Sequence, residues 1–144
     1  MPIEVRILGV NDGALLGAVA EEVFDDAVDL HAAVEFLTDP RHHIAVAIDA
    51  GKVVGFASGI HYFHPDKPVP ELFVNEVGVA PSHQNRGLGK TVLAALLRHG
   101  RELGCAQAWV LTERANEAAM RLYAACGGAE APAAQVLFEF DLGA

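Results

Sequence analysis

At Pro81 the hydrophobic pattern of this chain changes period. Upstream, Ile44, Val46 and Ile48 alternate with Ala45 and Ala47, and residues 72–79 form a further apolar run, which is the two-residue repeat of strands. Downstream, Leu88, Val92, Leu96 and Leu103 share one stripe while Lys90, Arg98, Arg101 and Glu102 take the other side, which is the repeat of a helix. A strand, a short loop and a long helix in immediate succession exclude an all-strand or all-helical architecture. They place the chain among folds in which helices cover the faces of a mixed sheet.

The other segments extend that pattern. Residues 3–8 read as a strand, and Asn11-Asp12 starts a helix before an apolar stretch ending near Phe24. A second helix over 30–37 stops before Asp39-Pro40, because the residue preceding a proline is biased away from helix. Ala50-Gly51-Lys52 turns the chain into a strand over 53–63, and the three prolines at 65, 68 and 70 make a loop before the strand at 72–79. Gly104 ends the long helix, residues 106–112 form an apolar strand, and Asn116 caps a helix closed by Gly127-Gly128. Val136, Phe138 and Phe140 alternate with Leu137, Glu139 and Asp141 in a last strand over 136–142. The predicted order is β α α β β β α β α β, an α/β (α+β) mixed central sheet. No linker or repeat divides it, so one domain over 1–144 is expected.

Composition narrows the function classes. A content of 52% hydrophobic and 20% charged residues excludes wholesale disorder. No apolar run nears the roughly 20 residues of a membrane span, and Met1-Pro2-Ile3-Glu4 does not lead from a basic segment into an apolar one, so a cytoplasmic protein with no membrane partner is expected. The net charge of -9 is uneven, with nine acids against Arg6 alone in residues 1–40. Such a surface disfavours nucleic acid and favours a cationic partner. Cys105 and Cys126 read as small core residues rather than a disulfide or metal pair.

The stretch Val77-Gly78-Val79-Ala80-Pro81-Ser82-His83-Gln84-Asn85-Arg86-Gly87-Leu88-Gly89-Lys90 carries the most chemistry. The first N–H groups of a helix lack internal partners and face the positive end of its dipole, which makes such a junction a site for phosphate or pyrophosphate. Gly87 and Gly89 present no Cβ, and Arg86 and Lys90 add counter-charge. A Walker A loop needs a glycine where Gln84 stands, and a dinucleotide fingerprint needs a third glycine where Thr91-Val92 follow. Both are excluded.

Gln84-Asn85-Arg86-Gly87-Leu88-Gly89 instead resembles the Q/R-x-x-G-x-G/A signature of the GNAT superfamily of N-acetyltransferases, between strand and helix as in that family. Asn116-Glu117-Ala118-Ala119-Met120-Arg121-Leu122-Tyr123, followed by Gly127, resembles its second motif, in which an Asn begins a helix that presents a Tyr near the cofactor thiol. The resemblance implies acetyl-coenzyme A between splayed parallel strands, here 72–79 and 106–112. It places the pyrophosphate on Gln84, Asn85, Arg86, Gly87, Leu88, Gly89 and Lys90, the pantetheine arm on Val77, Gly78 and Val79, and further contacts at Asn116 and Tyr123. Gly128 departs from the family, which often has an aromatic residue there.

The reaction so implied needs a base, because an acceptor amine with a pKa of about 10.4 is mostly protonated at neutral pH. Glu76 interrupts the apolar Leu72/Val74 run beside the expected acetyl group, where partial burial would tune it. Tyr123, with an ordinary pKa of about 10, can return a proton to the leaving thiolate. The run Pro70-Glu71-Leu72-Phe73-Val74-Asn75-Glu76-Val77-Gly78-Val79 is similar to type I aminoglycoside 3-N-acetyltransferases, which tend to carry Asp at the position of Glu76. That similarity implies a small cationic amine acceptor met by Asp25, Asp26, Asp29, Glu71 and Glu76. Acceptors of the protein, peptide or small polyamine kind, and a non-catalytic acetyl-CoA-binding module, are the alternatives. No metal is expected: His42 and His43 would point to opposite faces of a strand, and His61 and His64 lack acidic or Cys partners at ligand spacing. His61 and His64 border the loop before the catalytic strand, and the family's habit of dimerising leaves a homodimer open.

Overall fold

The computed structural model describes residues 2–132 and 134–143. Five strands form one sheet in chain order: β1 (Glu4–Ile7), β2 (His42–Asp49), β3 (Lys52–Tyr62), β4 (Glu71–Val79) and β5 (Gln107–Val110). The first four pair antiparallel, and β5 joins β4 in parallel from Glu71↔Gln107 to Val74↔Val110. The chain makes that crossover through α3 (Leu88–Glu102), which buries Leu88, Val92, Leu93 and Leu96 on one face of the sheet. The short α1 (Gly13–Leu16) and α2 (Leu30–Thr38) lie on the opposite face, and α4 (Glu117–Ala125) packs mainly on α3. Phe56, Leu72, Leu96, Val46, Val53 and Val92 are the largest fully buried side chains, so the core sits between β2–β4 and α3. This is the mixed sheet that the hydrophobic periods predict, with the parallel pair that the family resemblance implies.

Three expectations need correction. The first helix stops at Leu16 rather than near Phe24, because the chain then runs beside β3: Val53 N–H donates to Ala18 O and Ala20 N–H donates to Val53 O, both at 2.9 Å. Those backbone groups are satisfied by a strand edge in place of a helical turn. The strand expected over 106–112 shrinks to Gln107–Val110. The strand expected over 136–142 is not formed among the described residues. Alternation reports which side chains share a face, but a strand also needs an edge to pair with, and this segment has found none.

Candidate active site

β4 outruns its parallel neighbour. Pairing with β5 ends at Val74↔Val110, whereas β4 continues through Val77, Gly78 and Val79, paired among the described residues only with β3 on its other side. A one-sided strand leaves alternate backbone donors and acceptors facing the gap. The gap opens toward the α3 N-terminus, where Ala80 N–H donates to Val54 O at 2.8 Å and a short 3-10 turn over Pro81–His83 leads into the loop.

That loop is shaped for an anion. Asn85 (φ 63°) and Gly87 (φ 77°) both take the left-handed conformation, and a Cβ at 87 would meet nothing within 4 Å, so the backbone there is open to approach. The first intrahelical bond runs from Thr91 N–H to Gly87 O at 3.1 Å, so the N–H groups of Leu88, Gly89 and Lys90 precede it. No side chain caps α3 and its first turn carries no acid, while Arg86 and Lys90 are exposed beside it. These are the groups that a pyrophosphate requires. The Gln84 side-chain amide donates to Val79 O at 3.2 Å and latches the loop to the end of β4. A second latch went unread in the sequence. His83 Nε2 bonds Asp49 Oδ2 at 2.7 Å and Ser82 Oγ lies 2.8 Å from His83 Nδ1, tying the loop to the β2–β3 hairpin. The contact holds the Asp49 carboxyl below its ordinary pKa.

Asn116 is the α4 N-cap, its side chain accepting from Ala119 N–H at 3.1 Å. Tyr123 lies on the same helix, half-buried against the core, and burial pushes its phenol above the ordinary value. Gly127 (φ 92°) and Gly128 close α4 with two bonds, Gly127 N–H to Ala124 O at 3.0 Å and Gly128 N–H to Tyr123 O at 2.9 Å. A Cβ at 128 would stand 2.9 Å from Tyr123 O, so the glycine that departs from the family pattern is demanded by this tight return.

On the α2 side of the sheet lies a cavity of about 410 Å³. Asp25, Asp26, Asp29 and Glu76 all line it, together with Phe24, Phe36, Ile44, His42, Ser58 and Asn75. Gly78 explains how acids far apart in sequence meet there. Its missing Cβ would lie 2.6 Å from Val23 O, so the loop carrying Asp25 and Asp26 crosses directly over β4. Asp29 spends one oxygen capping α2, accepting from His31 N–H at 2.9 Å and Ala32 N–H at 3.1 Å. Glu71 is not in the cavity; its carboxylate bonds the His64 ring at the far end of β4. Glu76 lines the cavity yet is exposed, which corrects the partial burial expected of it. A bulge between Ser58 and Gly59 sets Ser58 opposite Glu76 and pushes Asn75 outward. Ser58, a lone hydroxyl in the apolar run of β3, was the sequence signal for this wall.

His42 and His43 point to opposite faces as expected: His42 lines the cavity, and His43 is buried under α3 between His61 (2.7 Å) and His99 (3.1 Å). The three rings bond in series through different nitrogens of His43. Neither His61 nor His64 reaches the cavity. Among the described residues no helix is long and apolar enough to cross a membrane.

Comparison with known proteins agrees with this geometry. A mycothiol acetyltransferase of Saccharomonospora viridis is 39% identical over 129 residues, covering 86% of this chain and 42% of that protein. One from Saccharopolyspora erythraea is 43% identical over 67 residues, 45% of this chain and 21% of its own. The chain thus spans less than half the length of these relatives. Among solved structures, an aminoglycoside acetyltransferase from an uncultured soil metagenomic sample superposes with a TM-score of 0.78 at 17% identity, covering 96% of this chain and 97% of its own. Aminoglycoside N-acetyltransferase AAC(6')-Iy gives 0.78 at 22%, covering 98% and 99%. Those two likenesses are of fold. The profile of the Acetyltransferase (GNAT) family matches residues 12–128, the span that contains the splayed strands, the loop before α3 and the capped α4, and this chain belongs to that family.

Proposed function

We propose that this chain transfers an acetyl group from acetyl-CoA directly to the amine of a small cationic acceptor. The observation that carries this reading is the placement of Glu76, which lines a cavity with Asp25, Asp26 and Asp29 on the strand whose next residues, Val77, Gly78 and Val79, border the gap leading to the anion-shaped loop. Acetyl-CoA supplies an activated thioester, so no covalent enzyme intermediate is needed. Leu88, Gly89 and Lys90 N–H, with Arg86 and Lys90 side chains, hold its pyrophosphate, and the free edge of Val77–Val79 lines its pantetheine arm. Backbone N–H near Val79 faces the charge that develops on the acyl oxygen.

The chain's own proton carriers divide the work. Glu76 accepts the proton that the acceptor ammonium must lose before it can attack. Tyr123, kept protonated by burial, holds the proton that the leaving sulfur takes up. Asp25 and Asp26, exposed at the mouth, attract the acceptor's remaining positive charges. Aminoglycosides suit four carboxylates around about 410 Å³, and they are the acceptor class this reading favours.

The identity to mycothiol acetyltransferases favours a second acceptor, a deacetylated mycothiol precursor. Thiol release from acetyl-CoA, followed with a chromogenic reagent against gentamicin, kanamycin, spermidine, deacetylated mycothiol and a lysine peptide, separates the two. Turnover of the aminoglycosides is the expected result. Turnover of the mycothiol precursor alone would transfer the reading to the second acceptor. Silence throughout, with acetyl-CoA still raising the melting temperature, would leave a binding module.

A further inference from the structure

Among the described residues, two polar side chains are buried to more than nine-tenths, His43 and Ser58. His43 bonds an imidazole on either side, whereas Ser58, 6% exposed, makes no side-chain hydrogen bond. Its strand is already paired on both edges, with Ile44 of β2 and Glu76 of β4 opposite it, so the hydroxyl adds nothing to the sheet. A hydroxyl held without a partner in an apolar run is destabilising, and alanine would avoid that penalty. No fully buried side-chain oxygen or nitrogen lacks a partner among the described residues, so the small exposed part of Ser58 includes its hydroxyl, which opens on the cavity that Ser58 lines.

The direction of that hydroxyl follows from the strand. Gly59 faces α3, where a Cβ would stand 3.4 Å from Leu96 Cδ2, and its neighbour Ser58 therefore faces the other side of the sheet, with the cavity. The bulge decides what stands across from it. Gly59 pairs with Val74, and regular alternation would set Asn75 opposite Ser58; the extra residue sets Glu76 there instead. Glycine at 59 is required for this approach, since a Cβ would lie 2.7 Å from Phe73 O. Directly opposed residues hold their Cβ atoms about 4.5–5.5 Å apart, so one nitrogen atom bound to the Glu76 carboxylate can also bond Ser58 Oγ.

We infer that Ser58 binds the acceptor directly: its Oγ accepts one N–H of the primary amine whose other N–H goes to Glu76. The inference rests on the acetyl-transfer reading of this cavity and adds to it the residue that holds the amine while Glu76 takes its proton. A primary amine has N–H groups enough for both partners before and after that proton leaves. Because the contact is made in the bound state as well as in the transition state, it strengthens binding of the acceptor and leaves the chemical step alone.

Ser58→Ala and Ser58→Cys remove the oxygen, and Ser58→Thr keeps it. Steady-state kinetics with whichever acceptor turns over, and calorimetry with kanamycin on the CoA-bound chain, read the contact with and without chemistry. In Ser58→Ala and Ser58→Cys the acceptor KM and the kanamycin Kd should rise about tenfold, as for one hydrogen bond to a charged group, the change falling on KM rather than kcat. Ser58→Thr should bind acceptor as the unmodified chain does, and the KM for acetyl-CoA and the melting temperature should hold in all three. Acceptor KM and Kd indifferent to loss of the oxygen would overturn the inference, and so would a loss shared with acetyl-CoA binding. Failure of the transfer reading looks different: kanamycin bound but not acetylated, with a Kd that still rises in Ser58→Ala, refutes transfer and keeps the contact. If no acceptor is either bound or acetylated, both fall.

Discussion

Replacing Glu76 by glutamine preserves the shape of the cavity wall and removes the group that takes the acceptor's proton. The expected outcome is a fall in kcat of about 10²-fold or more, the usual worth of a positioned base, with the KM for acetyl-CoA unchanged. Tyr123→Phe should also lower kcat, by about 10²-fold, since only the proton-carrying hydroxyl is lost. The acids of the mouth make a sharper pair. Asp25→Asn should raise the acceptor KM several-fold, on the order of 1 kcal/mol of lost attraction, whereas Glu71→Gln, whose carboxylate is engaged by His64 outside the cavity, should leave it unchanged. Steady-state kinetics on the selected acceptor checks all four. Sequence reading singled out Glu76 because it interrupts an apolar strand beside the expected acetyl group and Tyr123 because a family motif presents it, and it gathered Asp25, Asp26 and Asp29 because a polycationic acceptor calls for carboxylates. It misplaced Glu71, since sequence adjacency to Glu76 along one strand says nothing about which cavity a carboxylate reaches. It missed His42, which comes from β2, and Ser58 and Asn75, whose places depend on the bulge between Ser58 and Gly59.

At the level of elements, the joint between β4 and α3 was legible because several local signals agree: the change of period, the glycines and the counter-charge of Arg86 and Lys90. Its latches were not, because Gln84 to Val79 O and His83 to Asp49 close over distances that no spacing rule encodes. A left-handed Gly87 (φ 77°) explains one consequence. Gly87→Ala places a Cβ in open space but in a conformation costing about 1–2 kcal/mol, so relaxation of the loop should raise the KM for acetyl-CoA while the acceptor KM stays constant. Asn116→Ala removes the α4 cap and should lower stability by about 1 kcal/mol, read as a shift in the denaturation midpoint. Helix starts and stops are chemical and local, which is why α2, α3 and α4 fell close to expectation. The overlong first helix failed for the opposite reason: Ala18 and Ala20 are held by Val53, a partner more than thirty residues away.

For the whole molecule, the response to acid follows from one buried imidazole that the reaction does not use. His43 is 7% exposed, and burial, followed by the charges that His99, His61 and His42 would carry, drives its pKa from an ordinary 6.5 down to about 4. His61 is displaced in the same direction, again chiefly by burial. Asp39 opposes the shift of both rings, but its carboxylate is occupied by Arg41 at 2.8 Å. The unfolded chain therefore binds the proton more readily than the folded one, and stability falls as pH falls. Because the folded pKa is the lower of the two, the contribution is complete above about pH 6.5 and disappears as pH drops through about 4. A displacement of this size corresponds to roughly 3 kcal/mol for His43. Denaturant midpoints measured at pH 7.5, 5.5 and 4.5 should decline steadily in the unmodified chain. In His43→Leu, which keeps an apolar ring-sized group between β2 and α3 and cannot titrate, the decline over that interval should be shallower. Equal slopes for the two proteins would move the acid sensitivity to the carboxylates of Asp39, Asp49 and Glu130, whose pKa values are all held down by their partners and which act at lower pH.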